Sequence, residues 1–84
     1  MRAVLVTVRV NGTLAGVFGR SRLTVEVRQG ATVADVISAM SDTRPEAEDA
    51  LGGVVAVIDG AGCSRTAPVS EGQEVALLIP MSGG

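Results

Sequence analysis

The residues in this chain best placed to carry chemistry are its last four, Met81-Ser82-Gly83-Gly84, which follow an apolar run, Val75-Ala76-Leu77-Leu78-Ile79, closed by Pro80. Glycine has no Cβ, so a flexible Gly-Gly end can thread a channel too narrow for any side chain. What such an end presents is its own α-carboxylate. A carboxylate is a poor electrophile, but as an acyl adenylate made with ATP it can be attacked by a sulfur or nitrogen nucleophile. A small-residue end can equally be a frayed terminus with no role, so the body of the chain decides between the two readings.

The 84 residues are 46% hydrophobic and 19% charged, with a net charge of -2. That length suits one small domain burying roughly 60% of its unfolded surface, and the composition suits a folded chain. No apolar run approaches the ~20 residues of a membrane span, and Met1-Arg2-Ala3 leads straight into an alternating pattern with no signal-peptide layout. The expectation is a cytoplasmic protein without membrane contact. Arg2, Arg9, Arg20, Arg22, Arg28, Arg44 and Arg65 are spread along the chain with one aromatic, Phe18. Nucleic-acid binding needs a basic stripe with stacking rings, so no nucleic-acid partner is expected. Lysine is absent, which reflects either codon bias or an advantage in keeping amines away from an activated terminus.

Histidine is absent and Cys63 stands alone. A His-based triad, a Cys–His pair and a multi-ligand zinc site therefore cannot be assembled from this chain, and no metal is expected. None of the 11 glycines forms a phosphate loop ahead of a helix. The chemistry falls to the carboxy terminus or to another protein, and the chain by itself is not expected to be an enzyme.

The elements that must position the terminus follow from periodicity. Val4, Val6, Val8 and Val10 alternate with Leu5, Thr7 and Arg9, which predicts a strand with one buried face. Asn11-Gly12 breaks it, and Leu14, Val17 and Phe18 before Gly19 read as a longer loop. Leu23 to Arg28 predicts a second strand, antiparallel to the first. Thr32 and Asp35 approximate a capping box, with Ala31 and Val36 at the staple positions. Val33, Val36, Ile37 and Met40 then form a helical stripe that stops near Ser41 or Asp42. Pro45 to Leu51 suggests a short second helix with an acidic, solvated face. Val54 to Ile58 predicts a central strand, turned by Asp59-Gly60. Ala61 to Ala67 fits an edge strand or an irregular loop equally well. Val75 to Ile79 is uniformly apolar, which predicts a central strand covered on both faces. The order gives an α+β roll in which the last strand lies beside the first. Residues 1-80 form one domain in this reading, and residues 81-84 a flexible tail. The four residues after Pro80 reach ~13–14 Å when extended.

With those residues in view, the chain resembles the β-grasp sulfur carriers of the MoaD/ThiS family, in particular the small subunit of molybdopterin synthase. The resemblance is carried by Gly72-Gln73-Glu74-Val75-Ala76-Leu77-Leu78-Ile79-Pro80-Met81-Ser82-Gly83-Gly84, by Gly30-Ala31-Thr32-Val33-Ala34-Asp35-Val36 at the helix start, and by Leu14-Ala15-Gly16-Val17-Phe18-Gly19 after the first strand. It implies a ubiquitin-like roll with a mixed sheet of four to five strands, one main helix and a short second helix. It also implies that an ATP-dependent adenylating enzyme of the ubiquitin-activating type acts on Gly84. A sulfur donor then makes the thiocarboxylate, and a large synthase subunit or another sulfur-accepting enzyme receives the sulfur. No cofactor is bound by the chain, ATP being used by the activating enzyme. Gly83 and Ser82 give access to the channel, and Met81, Leu78 and Leu77 offer an apolar contact to partners. The family often has an aromatic where Leu78 stands, a second proline where Ile79 stands and an aromatic where Asn11 stands. Thiamin, cysteine or secondary-metabolite pathways, conjugation of Gly84 to a target lysine, and a plain interaction domain stand as alternatives.

Overall fold

The computed structural model describes residues 2–80. Its first strand, β1 (Ala3–Val10), places Val4, Val6, Val8 and Val10 in the core, as the period-two pattern requires. β2 (Arg22–Arg28) pairs with it antiparallel, Val4 opposite Val27 and Val6 opposite Val25. The connection between them differs from the predicted loop. Residues Gly12–Phe18 form a helix, α1, ended by Gly19 in the left-handed region at φ 74°. Gly12 and Gly16 give this segment poor helix propensity. It is tertiary burial of Leu14, which is 0% exposed, that holds it in place.

α2 (Val33–Thr43) begins at the predicted cap. The Thr32 backbone N–H donates to Asp35 Oδ2 at 2.8 Å, and the Asp35 N–H donates to Thr32 Oγ1 at 3.4 Å, so the box is reciprocal. Val33, Val36 and Met40 are buried and Ile37 half-buried. The loop after β4 satisfies two further orphan amides of the first turn. Val33 N donates to the Ala67 carbonyl and Ala34 N to that of Arg65. Replacing Thr32 by Ala is expected to cost about 1 kcal/mol, read as a lowered urea midpoint with unchanged slope.

The same box makes stability depend on pH. The Thr32 backbone N–H holds the Asp35 carboxyl below its ordinary 3.8, helped by the Thr32 hydroxyl and Arg28 and opposed by burial. A carboxyl whose folded value is depressed stabilises the fold fully above its unfolded value. That contribution is lost as pH falls through the lowered folded value. The stability difference between the wild-type chain and Asp35→Asn should therefore be constant near neutral pH and shrink on acidification, as paired urea titrations would read.

A 3-10 turn, Pro45–Ala47, leads into α3 (Glu48–Leu51), which buries Ala47 and Leu51 and leaves Glu46, Glu48 and Asp49 in water. β3 (Val55–Ile58) and β4 (Ala61–Cys63) form a hairpin. Its turn residues, Asp59 and Gly60, have φ of 53° and 79°. Two consecutive positive φ values are what a type I′ turn needs, and Asp-Gly supplies them at little cost. The ambiguous stretch from Ala61 thus contains both an edge strand and the loop that pins α2.

β5 (Glu74–Leu78) completes a mixed sheet in the order β2-β1-β5-β3-β4. It lies parallel to β1, Val8 opposite Val75 and Val10 opposite Leu77, and antiparallel to β3. The last strand is central and beside the first, as predicted, but it is not covered on both faces. Val75 and Leu77 enter the core, while Ala76 and Leu78 are half-buried on the other face. Among the described residues, helices cover only one side of this α+β sheet, so the apolar character of Ala76 and Leu78 is not explained by the core.

Candidate functional site

The end of β5 is where the sequence placed the site, and the structure divides the predicted contact residues. Leu77 is 0% exposed and belongs to the core among Val10, Val75 and Ala56. It offers no surface to a partner, which corrects its assignment as a contact residue. Strand alternation puts Leu78 on the opposite, open face. Met81, Ser82, Gly83 and Gly84 lie outside the described residues.

Leu78 is not alone on that face. It pairs in register with Val55, which is 48% exposed, and Ala76 pairs with Val57. Four apolar side chains on two adjacent strands thus face outward beside the last described residues. Arg9, opposite Ala76 in the β1–β5 register, borders them with Glu74, and Arg22 reaches Glu74 at 3.2 Å. A shallow depression of about 230 Å³ runs between Arg9, Val57, Glu74, Ala76 and Leu78. Surface ion pairs of this kind add little stability. They set charged groups at the rim of the apolar patch. The sequence does not single out Val55, Val57 and Ala76, because an unbroken apolar run predicts a central strand and not an open face. Val54–Ile58 and Val75–Ile79 are apolar at every position, so no alternation in the sequence marks the open face.

Beyond Leu78 the chain is held by a side chain. Asn11, at the end of β1, accepts from the Ile79 N–H through Oδ1 at 2.7 Å and donates from Nδ2 to the Ile79 carbonyl at 3.4 Å. Ile79 packs against the core and Pro80 is exposed. Two positions that depart from the resemblance, Asn11 and Ile79, therefore meet. A proline at position 79 would have no N–H to give.

Among the described residues no three His, Cys, Asp or Glu side chains gather where they could hold a metal ion. No described helix is long and apolar enough to cross a membrane. Cys63 is half-buried, its thiol 3.6 Å from the Ala56 carbonyl within the β3–β4 hairpin.

A family model for ThiS matches residues 8–84, from the middle of β1 through the final glycine. The chain belongs to the ThiS family. The fold agrees. Small archaeal modifier protein 1 of Haloferax volcanii superposes with a TM-score of 0.84 at 22% identity, covering 93% of this chain and 99% of that one. A chain of the BexX/CysO complex of Amycolatopsis orientalis gives 0.75 at 19% identity over 94% and 99% of the two chains. A chain of the complex between subunits 1 and 2 of the molybdopterin-converting factor of Helicobacter pylori gives 0.65 at 17%, over 96% and 100%. At these identities the likeness establishes the ubiquitin-like β-grasp fold alone. No curated protein matches it by sequence.

Proposed function

We propose that this ThiS-family chain is a sulfur carrier whose working group is the Gly84 carboxylate, most suitably serving molybdopterin synthesis as the small subunit of the synthase. The observation that carries the proposal is the family match itself, which runs through Gly83-Gly84 rather than stopping at the globular part. In the proposed cycle a carboxylate oxygen of Gly84 attacks the α-phosphorus of ATP and pyrophosphate leaves. A sulfur nucleophile from the donor then attacks the acyl carbon and AMP departs. Where the donor is a persulfide the product is an acyl disulfide, and a second thiol attacks its donor-side sulfur, carrying the donor off as a disulfide and leaving the thiocarboxylate. The thiocarboxylate sulfur then attacks an electrophilic carbon of the acceptor, whose leaving group departs, and water hydrolyses the resulting thioester, leaving the sulfur on the acceptor and restoring the carboxylate.

In this scheme the adenylating enzyme and the synthase supply the bases and the nucleotide site. The chain supplies an acyl group, a slim approach to it and a docking face. Val55, Val57, Ala76 and Leu78 form that face, with Arg9, Arg22 and Glu74 at its rim, and Met81 is a further apolar residue offered to a partner. Apolar side chains ringed by charge suit reversible binding to successive partners.

A second reading, conjugation of Gly84 to a lysine of a target protein, is favoured by the fold likeness to small archaeal modifier protein 1. Intact-mass spectrometry separates the two after coexpression with an adenylating enzyme and a sulfur source. A mass gain equal to replacing one oxygen by sulfur at Gly84 supports the carrier. High-mass adducts carrying the chain on lysines support the modifier, and neither product would defeat both readings.

A further inference from the structure

The ladder between β1 and β5 ends for lack of a neighbour. Its last rung is Val10 opposite Leu77, after which β1 turns away at Asn11 into α1. The peptide groups of Ile79 would face an empty edge on that side, and Pro80 brings no N–H with which to continue. The primary amide of Asn11 fills the gap as a surrogate peptide, accepting from the Ile79 N–H and donating to the Ile79 carbonyl, at 2.7 and 3.4 Å. With histidine absent from the chain, a side chain carrying a donor and an acceptor on separate atoms is confined to Asn and Gln.

Asn11 gives up another role to do this. It occupies the N-cap of α1 with the extended backbone of a cap, φ -135° and ψ 175°, yet its side chain makes no cap hydrogen bond. The Leu14 and Ala15 amides bond instead to its backbone carbonyl, at 3.2 and 3.4 Å. Asparagine is among the best N-cap residues because its side-chain oxygen reaches the second or third amide of the helix, here Thr13 or Leu14. Here the oxygen is turned the other way, toward the chain that leads to Gly84. Gly12 makes the geometry available, since its φ of 55° lets the backbone leave β1 immediately after Asn11.

We propose that Asn11 is a positioning residue for the C-terminal tail, its side-chain amide fixing Ile79 and with it the direction in which the last residues leave the sheet. The inference rests on the carrier reading, in which Gly84 must reach ATP held by a partner docked on the open face. From Ile79 to Gly84 an extended chain spans ~17 Å. Loss of the Asn11 bonds would free Ile79 as one more turning residue at the root of that span, so the terminal carboxylate would be spread over a larger volume before a partner captures it. Errors of ~1 Å at a reacting atom can cost ~10²-fold in rate. Part of that error is recovered by the walls of the partner's channel, so a loss of about tenfold is the expected scale.

The test compares the full wild-type chain with Asn11→Ser and Asn11→Asp. Serine is an equally good N-cap but too short to bridge both groups of Ile79. Aspartate keeps the acceptor and sets a carboxylate oxygen against the Ile79 carbonyl. Three quantities are read: ATP–pyrophosphate exchange with an adenylating enzyme that accepts the wild-type chain, hydrogen exchange of the Ile79 amide by NMR, and thermal unfolding. The expected result is faster Ile79 exchange and a kcat lowered about tenfold in both variants. KM should stay unchanged because the docking face is intact, and Asn11→Ser should hold the wild-type unfolding temperature. Wild-type kcat in Asn11→Ser overturns the proposal, as does unchanged Ile79 exchange, or a fall in kcat that only follows a fall in unfolding temperature. If no adenylating enzyme of the ubiquitin-activating type acts on the wild-type chain, the carrier reading fails and this inference with it.

Discussion

Gly83→Val is expected to unfold at the wild-type temperature and to load sulfur at least ~10²-fold more slowly. The two halves of that result have separate causes. The described core ends with Leu77, and Ile79 packs against it. Position 83 lies beyond Pro80, past the last strand, so a substitution there should stay within about ±0.5 kcal/mol, as surface changes usually do. The loss of loading comes from a β-branched side chain on a segment proposed to enter a narrow channel, where the absence of Cβ is the property in use. Removing Gly84 altogether moves the carboxylate back by one residue, ~3.5 Å, and should abolish adenylation while leaving the fold untouched. Intact-mass spectrometry of coexpressed chains, with thermal unfolding of the same samples, checks both. Loading that persists without Gly84, or loading and stability lost together, would contradict the assignment.

The most legible elements in the sequence were those set by neighbouring residues. Strand alternation in Val4–Val10, the Thr32/Asp35 box and the Asp59-Gly60 turn each depend on residues within a few positions of one another. All three appear where predicted. What escaped depends on contacts across the chain. α1 is a helix because Leu14 finds the core, not because Gly12-Thr13-Leu14-Ala15-Gly16 favours helix. The two outward faces of β3 and β5 look buried in sequence because their residues are apolar. It is the exposure of Val55, Val57, Ala76 and Leu78 in the folded chain that shows no described helix covers them. Asn11 is the clearest case. Read alone, Asn-Gly after a strand signals a turn or a cap. Its bonds to Ile79 span 68 positions, and nothing in the local sequence announces them.

That division between the two faces of β5 gives the second large effect, since the neighbouring leucines should fail in opposite ways. Leu77→Ala removes a fully buried side chain from the centre of the sheet. Such truncations cost about 2–5 kcal/mol. At roughly 4–8 °C per kcal/mol for a domain of this size, the unfolding temperature should fall by at least ~8 °C. That is a large share of the roughly 5–15 kcal/mol that holds a small domain together. Any protein that remains folded should still be adenylated with a normal KM, because Leu77 presents nothing to a partner. Leu78→Glu reverses the pattern. It disturbs one cross-strand pair with Val55, worth roughly 0.2–1 kcal/mol. It also places a carboxylate in the middle of the proposed docking face, where a central apolar contact is commonly worth roughly 1–2 kcal/mol or more. That corresponds to a KM raised by about 5–30-fold for the adenylating enzyme, with kcat retained at saturation. Urea unfolding and pyrophosphate-exchange kinetics on the two variants would read the contrast. A Leu78→Glu chain with wild-type KM would move the docking face elsewhere, and the Val55–Leu78 patch would then need another partner to explain its exposure.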